Sequence, residues 1–491
     1  MSIQPISYAV IRGKVIDTDL IEFGGRGGDI TFLAPDPHTL VDQLPLGSST
    51  RMQDLYELSF EQILDYLEEL GQRLDINSNE HMRAARELSY ATAPTTKPIL
   101  DAYYASMPVM FDRERIRGST DFTIGIPYLE GWVEQPINGS NVSIRAYGSR
   151  ALHIVAGNGP VVGALSILRG AVTRSDTMIK VPSNDPFTTG AIARTMCDFA
   201  PDHPITRHVS VAYWRGGDEA FEAQLYQPHN IEKIIAWGGF ASVKHVTKYI
   251  QPGLELISLD PKRSASIVGA EGVENDAMLQ EAAVRIATDV GTGNQTACSS
   301  CRIVYVMCGT DDDGIEKLKR LGQLTYDAIL ALPSDLSTMP KRYDPELKSN
   351  VDALRLNDDW YTVIGGENGE GAVIVSHTSD LVDFFEYLND RTVNLVPVDT
   401  IDEVLDAVDA YTQTVGVFPD NLADELRHQV ALAGGQRLVS LGYAFNGPGL
   451  VGPQDGIEPM RRMVKWIVSE RPQAHVKPLW ELAEGESALV A

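Results

Sequence analysis

Hydrophobic and polar positions along this 491-residue chain change rhythm twice. Between Asp54 and Leu74 (DLYELSFEQILDYLEELGQRL), Leu58, Ile63, Leu67, Leu70 and Leu74 recur at close to helical spacing, which predicts one amphipathic helix packed on a larger body. From about Thr123 to Ile144, short β-rich pieces broken by Gly and Pro follow. FTIGIPYL and SNVSIRAY read as strands or a hairpin, placed at a subunit interface. From residue 151 strand-length apolar runs alternate with helical patterns. ALHIVAG, TMIKVP, VSVAYW and IEKIIAWG read as strands; VVGALSILRGAV and TTGAIARTMCDFA read as helices.

A second alternating block opens near Ser264. It holds the strand SASIVGA, a helix after Asn275, the strand RIVYVM, the helix KLKRLGQLTYDAILAL and the strand GAVIVSH. LVPVDTIDEVLDAVDAY is then a strand running into a helix. Such alternation predicts an α/β fold of mainly parallel, doubly wound sheets, an architecture that binds nucleotides. The expected organisation is a lead-in over 1–122, a cofactor domain over 123–263 and a second α/β domain over 264–442. The first domain is expected to be completed by 443–491, with the Gly- and Pro-rich stretch Leu441 to Glu470 ending in the helix MRRMVKWIV and packing back on it.

Charge narrows the partners. A formal net charge of −26 repels phosphate backbones and argues against nucleic acid, while leaving room for one basic pocket for a phosphorylated cofactor. The N-terminus shows no secretory pattern, and no apolar run reaches the ~18 residues of a membrane span. Four cysteines are too few for a disulfide scaffold, so a cytoplasmic protein with reduced thiols is expected.

Two of those cysteines lie three apart in GNQTACSSC, as Cys298 and Cys301. Zinc needs four ligands, and the chain has no second pair, so no metal is expected. A redox pair opens a helix after a strand; here a helix carrying Leu279, Ala282, Ala283, Ile286 and Val290 comes first, capped by Asn275 or Asp276, and a strand follows. Cys298 therefore sits in a helix–loop–strand turn, where Gly291 and Gly293 let backbone approach a ligand. There it can be a nucleophile whose own N–H faces a developing oxyanion. The plainer reading is a small buried hydrophobe.

The Asn-Gln-x-x-Cys turn resembles the nucleophile loop of the aldehyde dehydrogenase superfamily. The form NQTACSS resembles that of the LuxC-like long-chain acyl-CoA reductases, which make fatty aldehyde in bacterial bioluminescence and related pathways. The likeness runs from about Phe122 to Glu470 and includes GPGLVGPQDGIEPMRRMVKW. It implies an aldehyde-dehydrogenase-like fold, a Rossmann-type cofactor domain beside a catalytic domain, and a homo-oligomer.

In HIVAGNGPVVGALSILRGAVTRSDTMIKVPSNDP, Asn158 and Lys180 match superfamily positions that bind the oxyanion and the adenosine ribose. Ser183 stands where NAD-preferring relatives carry Glu, which removes a charge that would repel a 2′-phosphate and favours NADP(H). Asp185 nearby argues the other way. Gly238-Gly239 resembles the turn that lays the cofactor pyrophosphate on a helix N-terminus. Without the likeness, Lys180 is an exposed strand-end lysine and the glycine pair an ordinary turn.

Departures count too. Aligning Lys262 puts Ser258 at the glutamate that activates water in oxidising relatives; Glu255 is out of register. The usual Glu-x-Phe-Gly-Pro ribose clamp is replaced by LNDRTVNLVPVDTIDEV, leaving the nicotinamide-side ribose contact unassigned. A missing base suits reduction, because an acyl-enzyme beside activated water would hydrolyse. The resemblance thus implies NADPH-dependent reduction of an activated fatty acyl thioester through S-acyl-Cys298, with an acyl-protein synthetase as a candidate partner. A CoA-acylating or oxidising aldehyde dehydrogenase, or a non-catalytic cofactor-binding partner of such a synthetase, stay open at this point.

Overall fold

Two seven-stranded sheets organise the chain, with a small three-stranded sheet beside the first. The computed structural model describes residues 4–24, 30–137, 140–445, 452–471 and 478–481. In the first sheet the strands run Glu255–Leu259, Lys233–Trp237, Arg150–Ile154, Asp176–Lys180 and Val209–Ala212, all parallel. Ala9–Ile11 and Lys14–Ile16 extend it antiparallel. The chain moves one way from Arg150–Ile154 through Val209–Ala212, then returns to the other side of Arg150–Ile154 with Lys233–Trp237. That reversal opens a crevice at the carboxyl ends of these two strands, where α/β sheets bind ligands.

The second sheet takes its strands from Arg263 to Ser440, so the division between sheets falls between Leu259 and Arg263. Its order is Tyr361–Gly365, Ala372–Ser376, Val393–Pro397, Cys301–Val306, Arg263–Val268, Thr412–Phe418 and Arg437–Ser440, parallel except for the outer Tyr361–Gly365. Helices cover both faces. Leu279, Ala282, Ile286 and Val290 of Asp276–Gly291 pack with Leu318 and Leu321 of Asp312–Ala331 on one side; Val404, Leu426 and Val430 pack on the other. Burial on both faces explains why these strands are continuous apolar runs.

Three local readings are corrected. The stretch Asp54–Leu74 is a 3-10 turn, Ser49–Tyr56, followed by the helix Phe60–Arg73. Ser59 and Gln62 form a reciprocal capping box that starts the helix there. Ile63, Leu67 and Leu70 are fully buried, contributing roughly 1.5–3 kcal/mol each. FTIGIPYL is not a strand: Arg113–Thr123 and Ile126–Glu130 are helices, with Asp121 accepting the Ile126 N–H and Pro127 in the first turn. SNVSIRAY is the central strand of the three-stranded sheet, as expected. The closing helix is only Pro459–Met463. Lys465–Glu470 is a strand paired antiparallel with Ser140–Tyr147, because β-branched and aromatic residues there alternate across a sheet edge. Of the closing motif, residues 447–451 lie outside the described residues.

The lead-in is tied to the first sheet by charge as well as by apolar packing. Arg174 is 2% exposed and donates to the carbonyls of Leu55, Leu58 and Leu129 and to Glu130. Its guanidinium satisfies carbonyls that burial would otherwise orphan.

Candidate active site

The carboxyl edge of the first sheet faces the amino edge of the second, and the residues singled out from sequence divide between them. On the first edge, Arg150–Ile154 runs into the turn that carries Asn158. Asn184, 9% exposed, donates its amide to the Gly157 carbonyl at 2.8 Å; a Cβ on Gly157 would lie 1.7 Å from the Asn184 amide oxygen. The turn is thereby braced from beneath. Asn158 itself is exposed, and its Nδ2 donates to the Thr296 carbonyl at 3.3 Å. This long bond reaches across to the cysteine loop.

Lys180 ends the strand Asp176–Lys180. Its Nζ stands 5.7 Å from the centroid of the buried Trp214 ring, and burial lowers its pKa to about 8 despite the opposing pull of Glu222. Ser183 lies half-exposed in the following turn. Asp185 is buried: it accepts from the Thr188 hydroxyl and N–H at the start of the helix Thr188–Phe199, and burial raises its pKa. Gly238 and Gly239 follow Lys233–Trp237 and precede the helix Phe240–Val246; a Cβ on Gly239 would meet only open space.

The second edge holds the cysteines. Gly293, Asn294 and Gln295 have φ of 62°, 54° and 64°, three successive left-handed residues that only strong local bonding sustains. Gln295 supplies it. Fully buried, its amide donates to the carbonyls of Cys301 and Thr392 and accepts the Thr392 N–H, all within 2.9 Å. Asn294 accepts the Thr338 N–H at 2.9 Å, and a Cβ on Gly293 would come within 2.6 Å of the Tyr103 hydroxyl. The Asn-Gln pair of the motif is thus the loop's own scaffold. Arg302 adds donors to the carbonyls of Ser300, Ala297 and Leu388.

This loop sets the two cysteines apart. Cys301 is 2% exposed, accepts from Ser266 Oγ at 3.1 Å and has its pKa pushed up to about 12 by burial. It begins the packed strand. Cys298 is half-buried in the loop. Its carbonyl accepts from Ser264 Oγ at 2.7 Å, at a bulge in Arg263–Val268 that turns this hydroxyl toward the loop. Its Sγ accepts from Gln413 Nε2 at 2.9 Å. The same Nε2 donates to Asp455. Burial first, then the Asp455 charge, raises the Cys298 pKa; the Gln413 bond and Arg302 oppose them.

Sequence reasoning missed Gln413, Asp455, Ser264, Asn184, Trp214 and Tyr103. Asp455-Gly456 carried a readable signal: Gln454 and Ile457 exchange backbone hydrogen bonds around two residues of φ 55° and 73°, a tight turn that Asp-Gly favours. Glu255, out of register with the glutamate expected from the resemblance, is held by Lys233 and Arg462 at the amino end of its strand. A carboxylate nevertheless comes near the thiol from Asp455. Among the described residues no cluster of three or more His, Cys, Asp or Glu side chains could hold a metal ion, and no helix is long and apolar enough to cross a membrane.

Known proteins resemble this chain in sequence and in fold. The chain is 27% identical over 439 residues to the long-chain acyl-protein thioester reductase of Aliivibrio fischeri, covering 88% of this chain and 87% of that one. It is 29% identical over 422 residues to the Photorhabdus luminescens protein of the same name, with 85% and 83% covered. NADP-dependent glyceraldehyde-3-phosphate dehydrogenase from Bacillus halodurans C-125, solved with NADP, superposes with a TM-score of 0.72 at 13% identity, over 95% of this chain and 99% of that one. A Mycobacterium tuberculosis aldehyde dehydrogenase solved with NAD+ gives 0.71 at 13% identity, over 97% and 100%. The fold is that of the aldehyde dehydrogenases, and residues 55–466 match the acyl-CoA reductase (LuxC) family, to which this chain belongs.

Proposed function

We propose that the protein reduces a long-chain acyl thioester, presented as acyl-CoA or on a partner protein, to the aldehyde through an S-acyl-Cys298 intermediate. The observation that carries this reading is the contrast between the two cysteines. Cys298 lies half-buried on a scaffolded loop with donors around it, whereas Cys301 is sealed in the sheet. The relatives' names supply the acyl thioester.

The carboxyl edge of the first sheet fits a phosphorylated dinucleotide. Lys180 brings a cation, Ser183 a hydroxyl, and Gly239 a backbone with open space beside it. Asp185, spent on capping a helix, removes the one nearby argument against a 2′-phosphate. These residues would hold NADPH, whose chemistry is hydride donation. Cys298, as thiolate, attacks the acyl carbon and the donor thiol leaves. The Asn158 amide would exchange its 3.3 Å bond to Thr296 for the tetrahedral oxyanion, to which the Cys298 N–H would be the second donor. After reduction the thiohemiacetal collapses, releasing aldehyde and the Cys298 sulfur.

Intact-protein mass spectrometry after incubation with a panel of acyl-CoAs tests the reading. The native chain and Cys301→Ala are expected to gain one acyl mass, and Cys298→Ala none. A thioester-linked acyl mass on the Cys298 variant would sink the assignment. The oligomer expected from sequence would meet on the three-stranded sheet, where Ile137, Ile467 and Val468 are exposed. Ile467→Glu should then lower the sedimentation coefficient; an unchanged value places the interface elsewhere.

A further inference from the structure

Gln413 lies in the strand Thr412–Phe418, on the far side of Arg263–Val268 from the cysteine strand, and is 7% exposed. Its amide is specified at both ends. Thr414 Oγ1 faces its Oε1 at 3.5 Å, while its Nε2 directs one N–H to Cys298 Sγ at 2.9 Å and the other to Asp455. Asp455 is itself presented by the Gln454–Ile457 turn, and Arg169 anchors that turn by donating to Gln454 Oε1 at 3.0 Å. A carboxylate only accepts hydrogen bonds, so it admits the NH2 end of the amide and rejects the carbonyl end. Once one N–H is taken by Asp455, planarity aims the other at the sulfur.

We propose that Gln413 is a catalytic residue that donates a hydrogen bond to the Cys298 sulfur, and that Asp455 is a positioning residue that fixes the amide in that orientation. The inference rests on the reading of Cys298 as nucleophile and adds the group that holds its anion. In acylation the thiolate pair forms the bond to the acyl carbon, and the donor's own C–S bond breaks with its pair leaving on the donor sulfur. In the collapse of the thiohemiacetal the C–S bond breaks, its pair returns to sulfur and the carbonyl of the aldehyde forms. Gln413 steadies the thiolate until solvent returns a proton. The Asp455 charge acts in the opposite sense by repulsion, so orientation and charge are separable effects. The other charged groups acting on the sulfur are Arg302 and Arg437; those acting on Asp455 are Lys262, Asp260 and Arg169.

Iodoacetamide alkylation of Cys298, located by peptide mass spectrometry across pH 7–11 in the full-length protein, tests the donor and positioning roles without any acyl substrate. Gln413→Met keeps the volume and removes the donor. It should raise the alkylation midpoint by about one pH unit and slow alkylation about tenfold at neutral pH. Asp455→Asn keeps an acceptor and removes the charge, so its midpoint should fall below that of the native chain. Asp455→Leu removes both, and should lie above Asp455→Asn. An unmoved profile in Gln413→Met overturns the donor role; identical profiles for the two Asp455 variants overturn the positioning role. If Asp455→Asn instead leaves the profile unchanged and slows hydrolysis of an acylated Cys298, Asp455 is a base for water and the inference falls. Failure of the native chain to acquire an acyl mass, with alkylation behaving as expected, would fault the reading of function and leave the sulfur–amide–carboxylate chain intact.

Discussion

The two edges that face each other across the candidate site are built on opposite plans. At the carboxyl edge of the first sheet, Asn158, Lys180, Ser183 and Gly238-Gly239 each follow directly from the strand that presents them. At the amino edge of the second, the surroundings of Cys298 come from four segments remote in sequence: Ser264, the loop from Gly293 to Arg302, Gln413 and Asp455. A site made from residues just after strands needs only the strand to be right. A site made at strand starts needs the register of three strands and the path of a closing loop. The first plan leaves local motifs in a sequence, and the second leaves almost none.

The sharpest way to test this division is where the edges touch. Asn158 belongs to the first edge but reaches Thr296 on the second. If its amide serves the oxyanion, Asn158→Ala should slow the single-turnover chemical step by ~10²–10³ while NADPH affinity stays close to native. A variant with a normal chemical rate and a lowered melting temperature would reduce Asn158 to a turn residue.

A second break lies wholly within the cysteine edge. Removing the Gln295 side chain takes its amide donors from the buried Cys301 and Thr392 carbonyls, while the Thr392 N–H keeps its bond to the Asn389 carbonyl. It also releases a residue held at a left-handed φ of 64°. Gln295→Ala should cost about 3 kcal/mol in denaturant unfolding. A loss under 1 kcal/mol would mean that the loop is held by Arg302 and Asn294 instead.

What could be read in advance follows the same line. Most buried strands and their covering helices from Arg150 to Ala407 are legible as apolar runs of the right period, because both sheets are covered on both faces, whereas the helices Glu219–Leu225 and Pro345–Leu354 and the strands Glu255–Leu259 and Tyr361–Gly365 are not. The errors fell where period alone decides poorly. FTIGIPYL contains β-branched and aromatic residues, but Asp121, Gly125 and Pro127 impose helix caps on it. MRRMVKWIV looked helical, yet half of it completes a sheet edge supplied by Ser140–Tyr147. The loop that carries Cys298 is legible because its residues are contiguous. Gln413 is not, since a glutamine at the start of a buried strand looks like any other polar strand end until Asp455 is folded beside it. Asp455 itself weakens the simple argument that no carboxylate adjoins the thiol, and replaces it with a question about what that carboxylate faces.

On the first edge the expected effects are smaller and separate the cofactors. Ser183→Glu places a carboxylate on the turn near Lys180, where it repels a 2′-phosphate and competes for the ammonium. NADPH affinity should fall about tenfold while NADH affinity holds or improves. Equal losses for both in a binding titration would show that Ser183 does not meet that phosphate.

The smallest effect, and the most specific, is the pH dependence of NADPH binding. Burial lowers the Lys180 pKa from the usual 10.5 to about 8, so in the free protein the ammonium is charged below that pH and neutral above it. The 2′-phosphate, with a second pKa near ~6, is a dianion throughout this range. Binding favours the charged lysine and raises its pKa in the complex. Affinity should therefore be full below about pH 8, and fall as pH rises from there toward the pKa of the bound state. The loss on the order of fivefold corresponds to about 1 kcal/mol for one partly screened charge pair. NADH should show a shallower slope, since it lacks the dianion. Lys180→Arg should bind without a step between pH 7 and 10, because a guanidinium stays charged, and Lys180→Met should bind weakly and flatly. Titrations by quenching of protein fluorescence would resolve these curves. A native curve as flat as that of Lys180→Met would put Lys180 outside the phosphate's reach and leave the first edge without its cation.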